Sequence, residues 1–415
     1  MSRLDELIEE LCPDGVKYVP IWEITAWDKR FNGVEKEKQK EIKIYPYLLA
    51  NDLFSLEHNG GNVRLLSTGE YIGWTTEELA SDNLCEGEVV AIPWGKSKEV
   101  KDLIKYYKGK FVTSDNRIAT SLDTKILLNK YLYYWMINNG SIIDGYYRGS
   151  GIKHPSMKAI LNMKIPLPPL PIQQEIVRIL DNFTELTAEL TAELTARRKQ
   201  YEYYRTSLLK FDDIRPPIKW FKLENIFNIK NGYTPSKGIS EYWENGSVPW
   251  FRMEDIRENG RILCDSIQHI TNQAVKDRPF PANSIIVSTS ATIGEHALLT
   301  VEALANQRFT FLILKNDFKD KMNIKFIYYY CFILDEWCKN NITLGNFNSV
   351  DMTKFKHFPF PVPPLEEQER IVAILDRFDV LCNDLTSGLP AEIEARRKQY
   401  EYYRDRLLSF PEAPS

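Results

Sequence analysis

The chain has 415 residues, of which 43% are hydrophobic and 12% aromatic, so it is long enough for more than one core and too apolar to be disordered. A net charge of −4 excludes a protein that coats nucleic acid by bulk charge, although local basic loops could still bind it. Six scattered cysteines without a CxxC pair, and no apolar run of bilayer length, point to reduced thiols in a soluble cytoplasmic protein with no membrane partner and no bound metal.

Residues 1–15 read as a helical arm. Leu4, Leu7, Ile8 and Leu11 share one helical face before Pro13-Asp14-Gly15 stops the pattern, and that face needs a partner surface. From 16 to 165 the runs are short and β-rich, as in VKYVPIWEI, EVVAIPW and KFVTS, with helical spacing in LLNKYLYYWMINN. This predicts a first globular domain of α/β (α+β) class.

A third segment, 166–210, opens on the proline-dense stretch Pro166–Pro171 and then runs free of Pro and Gly to Leu209. Ile176, Leu180, Phe183, Leu190, Leu194, Tyr201, Tyr204 and Leu208 recur every three or four positions, the spacing of a coiled-coil seam.

Segments 211–360 and 361–415 then repeat what came before. PLPPLPIQQEIVRILDNF at Pro166 returns as PVPPLEEQERIVAILDRF at Pro361, and ARRKQYEYYR stands at both Ala196 and Ala395. Within the domains, Lys130–Tyr134 aligns with Lys325–Tyr329, and Val16-Lys17-Tyr18 with Ile218-Lys219-Trp220. Gly388 and Pro390 interrupt the second helix, where a break is expected. Two such helices in one chain pair most simply as an antiparallel coiled coil, giving a pseudo-two-fold arrangement with a globular domain on each.

No catalytic motif stands out. The Pro-Pro pairs at Pro168, Pro216 and Pro363 lack the flanking residues of an adenine methyltransferase motif. Gly95-Lys96-Ser97 is not preceded by the glycine a phosphate loop needs, since Val90 occupies that place. The five histidines are isolated from one another.

The duplicated helix with its PLPPL start, the ARRKQYEYYR end and the tandem TAEL of Thr187, Ala188, Glu189, Leu190, Thr191, Ala192, Glu193 and Leu194 resemble the specificity (S) subunit of type I restriction-modification systems, the TAEL run being similar to the IC subgroup. NGYTPSK at Asn231 and YWENGSVPW at Tyr242 look like the opening of a target recognition domain. The resemblance implies a non-catalytic subunit whose two domains each read half of a split double-stranded DNA sequence, with the helices setting the gap. It implies two methyltransferase subunits as partners, and two restriction subunits in the larger complex. S-adenosylmethionine, ATP and Mg would then be held by those subunits and no cofactor by this chain. The alternative is a duplicated coiled-coil scaffold that binds proteins rather than DNA.

Base readout needs basic and amide side chains on loops, and phosphate contacts to fix register. In the first domain the candidates are Trp27, Lys29, Arg30, Lys96, Lys98, Asn116 and Arg117, together with the turn carrying Arg148, Ser150, Lys153 and His154. In the second they are Lys230, Tyr233, Thr234, Ser236, Lys237, Arg252, Arg257, Ser288, Thr289, Ser290 and Arg308, with Asn346 and Asn348 in LGNFNS. The turns just before the two proline stretches are favoured, because they fall at equivalent places. For docking of protein partners the candidates are Gln173, Glu175, Arg197, Arg198, Gln368, Glu369, Arg396 and Arg397, while Tyr201, Tyr204, Tyr400 and Tyr403 are expected to pack the helices.

Overall fold

A computed structural model of the chain describes residues 3–96, 98–211, 218–343, 348–384 and 386–414. Helix makes up 43% and strand 24%. The chain divides into two compact units, one of residues 1–191 with 393–415 and one of 192–392. The division falls between Thr191 and Ala192, inside the TAEL run.

In the first unit a seven-stranded mixed sheet carries the domain. Its central path runs from Thr25–Trp27 through Asn116–Ser121 and Cys85–Pro93 to Lys105–Ser114, each neighbour antiparallel. The second unit builds the same four positions from Phe227–Asn231, Phe309–Leu314, Ser284–Ser288 and His296–Leu299, again antiparallel throughout. Ile285, Ile286 and Val287 are fully buried, which explains why these central strands read as unbroken apolar runs rather than as alternation.

Each domain is closed by a short ribbon joining its first strand to its last. Tyr18 pairs with Pro166 in one and Trp220 with Pro361 in the other, the same residues that align in sequence. The helix read in LLNKYLYYWMINN spans Asn129–Asn138, and its counterpart spans Ile324–Asn340. Asn323 caps the latter by accepting from the backbone of Lys325 and Phe326.

The long helix Leu170–Leu208 is continuous over 39 residues. The repeated helix is split into Leu365–Asn383 and Leu389–Leu407, with Gly388 and Pro390 at the break as expected. Asp384 holds the break by accepting from the backbone and hydroxyls of Thr386 and Ser387, and these bonds lower its carboxyl to about 2.

Within the first unit Ile172, Ile176 and Leu180 are fully buried in the domain core, together with Leu408. Leu4 of the arm helix Arg3–Leu11 is buried there too, with Leu7 and Ile8 packed alongside, so the arm finds its surface on this core. Phe183 stacks on Tyr403 at 5.5 Å. Within the second unit Phe378 stacks on Tyr204 at 5.4 Å and on Tyr201 at 6.1 Å. Tyr201, Tyr204, Tyr400 and Tyr403 of the repeated decapeptide thus pack the helices, a contribution of roughly 0.5–1.5 kcal/mol per pair beyond buried area, whereas Tyr203 and Tyr402 are mostly exposed.

Candidate nucleic-acid interface

The two units share a loop edge. In the first, the segment after strand Cys85–Pro93 is bridged to the turn before the proline stretch through Lys96 and Lys153, whose backbones hydrogen-bond at 3.2 Å. In the second, Ser290 after strand Ser284–Ser288 is bridged in the same way to Ser349. The turns favoured from sequence therefore lie beside the strand-end loops that were chosen independently of them.

On the first unit's edge, Arg148, Ser150 and Lys153 are exposed and His154 is partly so. Lys96 is mostly buried and ion-paired with Asp144, whose second oxygen accepts from the Val100 backbone at 3.0 Å. Burial raises the Asp144 carboxyl, but these partners outweigh it and leave it below the ordinary range. Arg117 pairs with Asp115 at 2.8 Å, and Lys29 reaches the same oxygen at 3.0 Å while lying over the Tyr47 ring. Asp28, buried beneath them, has a raised pKa because desolvation outweighs its bond from Ile118 and the nearby cations. Lys98 is exposed and paired with Glu70 at 2.7 Å, and Arg30 is exposed.

Two choices in this unit are corrected. Trp27 is 5% exposed, bonded to Thr25 and packed against Phe31, because it lies on a strand all of whose residues face protein. Asn116 is also buried, and its amide donates to the carbonyls of Leu66 and Ser67 and to Thr113, so it holds strands together.

The second unit gathers its candidates around a cleft of about 630 Å³. Thr234, Lys237, Arg252 and Arg308 line it. So do Gln268, Asn306 and Gln307, which sequence reading missed. Asn306 Oδ1 accepts from the Arg308 backbone at 2.9 Å and Thr234 bonds to Gln307, so the turn Asn306–Arg308 has a fixed shape. Gly232 is required behind it: an added Cβ would stand 2.4 Å from the Ala305 carbonyl oxygen. Arg252 begins the helix Met253–Asn259, its backbone bonded to Asp255 at 2.6 Å, and its Nε makes no hydrogen bond among the described residues. The cleft wall is set by Trp250, which donates to the Tyr233 carbonyl at 3.1 Å, and by Trp243 edge-on to it.

The Arg308 carbonyl accepts from the Thr289 backbone at 3.0 Å, so cleft and bridged loop are continuous. Ser236 and Lys237 are exposed beside the cleft, and Tyr233 accepts from the Lys276 backbone at 2.8 Å. Lys230 and Arg257 are exposed, but Arg257 lines a different cavity, with Arg205, Arg261 and Asp379. Ser288 and Thr289 are corrected: both are buried, Thr289 bonded to Thr310 at 2.8 Å, which leaves only Ser290 of that trio partly open. Asn348 is exposed, and Asn346 lies outside the described residues.

Of the docking candidates, Gln173 and Gln368 are corrected. Both are fully buried and tie the helix start to the domain: Gln173 donates to Ile126 and Pro168 and accepts from Leu128, and Gln368 donates to Lys321 and Pro363 and accepts from Asn323. Glu175 is buried against Arg178 at 2.6 Å. Glu369 is exposed. Arg197 and Arg396 bond to Gln200 and Gln399 on their own helices, Arg397 pairs with Glu401, and Arg198 reaches the Cys382 carbonyl.

Among the described residues no cluster of His, Cys, Asp or Glu is arranged to hold a metal ion, and no helix is long and apolar enough to cross a membrane.

Residues 35–197 and 217–395 match the family model described as type I restriction modification DNA specificity domain. The chain is 56% identical over 203 residues to the specificity subunit of the type I restriction enzyme EcoprrI of Escherichia coli, a match spanning 47% of this chain and 51% of that one. Another E. coli type I restriction enzyme specificity subunit is 36% identical across 99% of this chain and 98% of its own length. In fold the chain is similar to the S subunit of the type I restriction-modification system from M. genitalium, at a TM-score of 0.57 and 16% identity over 95% of this chain and 96% of that one. A chain from a structure concerned with assembly and conformational transition of the type I system also has a TM-score of 0.57, at 15% identity.

Proposed function

Because the chain belongs to the family of type I restriction-modification specificity subunits, we propose that it reads a bipartite DNA target, one half-site per domain, and brings methyltransferase and restriction subunits to it. The observation that carries this reading is the loop edge built twice. Each unit joins a strand-end loop to a pre-helix turn by the same backbone bridge, and each sets basic or amide side chains beside it.

The chemistry suits base edges. Arg308, Lys237 and Arg252 offer donors for guanine and for phosphate, while Gln268 and Gln307 can pair with adenine. In this reading the chain performs no chemical step. S-adenosylmethionine, ATP and Mg are held by the partner subunits, and the complex acts in the cytoplasm.

The test is a gel shift of the full chain assembled with its methyltransferase subunits, together with mapping of methylated adenines in DNA from cells that carry the system. A single split motif, bound saturably against nonspecific competitor at moderate salt, is the expected result. Binding that is only salt-sensitive and sequence-blind would refute it.

A further inference from the structure

The bridged loop of the first unit has an apolar tip that hydrogen bonding to base edges does not require. Trp94 is 39% exposed and Ile152 is 65% exposed. Ile152 lies over Gly95, the residue after Trp94, where an added Cβ would stand 2.6 Å from Ile152 Cγ2.

Both are held in place. The His154 ring lies 4.0 Å from that of Trp94, and its Nδ1 is 3.0 Å from the Trp94 carbonyl oxygen. On the other side, Tyr147 donates to the Pro93 carbonyl at 2.6 Å, and the Lys96–Lys153 bridge closes the loop. A loop tied at so many points cannot fold its tip inward, although leaving apolar surface in water is unfavourable.

The surroundings indicate what covers the tip. Arg148 and Lys153 are exposed on the same turn, and the Arg117 guanidinium is 5.8 Å from the Trp94 ring centroid. Arg117 is buried and paired with Asp115, so the exposed charge beside the tip is that of Arg148 and Lys153. An apolar point flanked by two cations matches a duplex, which is anionic outside and a stack of aromatic rings within. Among the described residues, the strand-end loop of the second unit carries buried Thr289 and then Ser290 at the place of Trp94 and Gly95.

We propose that Trp94 and Ile152 form a wedge that enters one base step of the first domain's half-site, unstacks it and kinks the duplex there. The first half-site is then read partly through its deformability, with pyrimidine–purine steps favoured. The proposal rests on the DNA-reading function above.

Its test uses the full chain with its methyltransferase subunits, the mapped split target, and duplexes bearing one mismatch at each step in turn. A mismatch at the wedged step removes the unstacking cost in advance. The native protein should bind one such duplex, with its mismatch in the first domain's half-site, roughly tenfold more tightly than the paired target. Trp94→Ala and Ile152→Ala should lose that gain while still preferring target to scrambled DNA, and Trp94→Phe should keep it. Circular dichroism shows whether each variant is folded, and the highly exposed Ile152 serves if Trp94→Ala is not. A flat mismatch profile for the native protein, or a gain unchanged in the alanine variants, overturns the wedge while leaving the DNA-reading function intact. Loss of all preference for the split target in the native protein overturns both.

Discussion

Tyr329 donates its hydroxyl to Asp376 at 2.7 Å, and in the first unit Tyr134 donates to Asp181 at 2.6 Å. Each carboxylate also takes a lysine, Lys325 or Lys130. The tyrosine hydroxyls are raised, first by burial and then by bonding to a carboxylate. Asp376→Ala leaves a mostly buried hydroxyl without its acceptor, and should destabilise the second unit by about 1–3 kcal/mol. Asp181→Ala should do the same to the first. Thermal melts that show neither loss would contradict the pairing.

Gln368→Leu should also be costly. It removes a fully buried amide and leaves the carbonyls of Lys321 and Pro363 and the Asn323 N–H without their side-chain partner, a loss of about 1 kcal/mol or more. Glu369→Ala, one residue on and exposed, should leave the melting temperature unchanged. If partner binding in a pull-down falls with Glu369→Ala and not with a stability-matched core variant, the exposed helix face is the docking surface.

Arg308→Ala should weaken target binding by roughly 1–3 kcal/mol and relax specificity at one position of a single half-site, read from methylation maps. An equal loss on every DNA sequence would reassign Arg308 to a phosphate.

Lys105 donates to the carbonyls of Ser67 and Gly69 with no carboxylate beside it, and burial lowers its pKa to about 8. An unfolded lysine titrates near ~10.4, so between these values the unfolded state holds more protons and stability rises with pH. Relative to Lys105→Met, the native protein should gain stability from about pH 8 to about pH 10, as read in paired denaturant titrations. A difference that is flat across that window would show the amine to be solvated.

Ala196 and Ala395 are 199 residues apart and Pro166 and Pro361 are 195, so the first helical segment is shorter by one TAEL-sized unit. Inserting a further TAEL after Leu194 adds about 6 Å and about 400° of helix, some 40° beyond a full turn. One base pair adds about 3.4 Å and roughly 35°. The rotation favours a spacer longer by one base pair with both half-sites kept. An unchanged spacing in the methylated motif, or loss of a half-site, would refute this.

Much of the fold was legible because duplication makes weak signals confirm each other. Lys130 and Lys325 align, and both prove to pair with a helix carboxylate. Side-chain burial was less legible. Gln173 and Gln368 look like the polar face of an amphipathic helix start, yet a carbonyl-lined slot takes each amide. Trp27 was misjudged because its basic neighbours suggested a loop, whereas strand pairing with Ala119 turns it inward. Trp94 ends an apolar run, and sequence alone does not show that its ring is partly exposed. Asn306 and Gln307 adjoin Arg308 in sequence but sit in no motif, and only the fold shows that they share a cleft with the distant Thr234 and Arg252.

The first unit takes its last pieces from the far end of the chain. Tyr18 donates to the Phe410 carbonyl at 2.8 Å, Val16 donates to Pro411, Ala413 donates back to Val16, and Leu408 is buried in the same core. The second unit is drawn from one unbroken stretch. On the ribosome the domain synthesised first is therefore completed last: its first strand can pair with Lys164–Pro166 early, but Val16 and the Tyr18 hydroxyl wait for about four hundred residues to emerge before they gain their partners at Phe410, Pro411 and Ala413. Throughout that interval it is the half of the molecule most dependent on chaperones and most open to proteolysis, whatever its stability once closed.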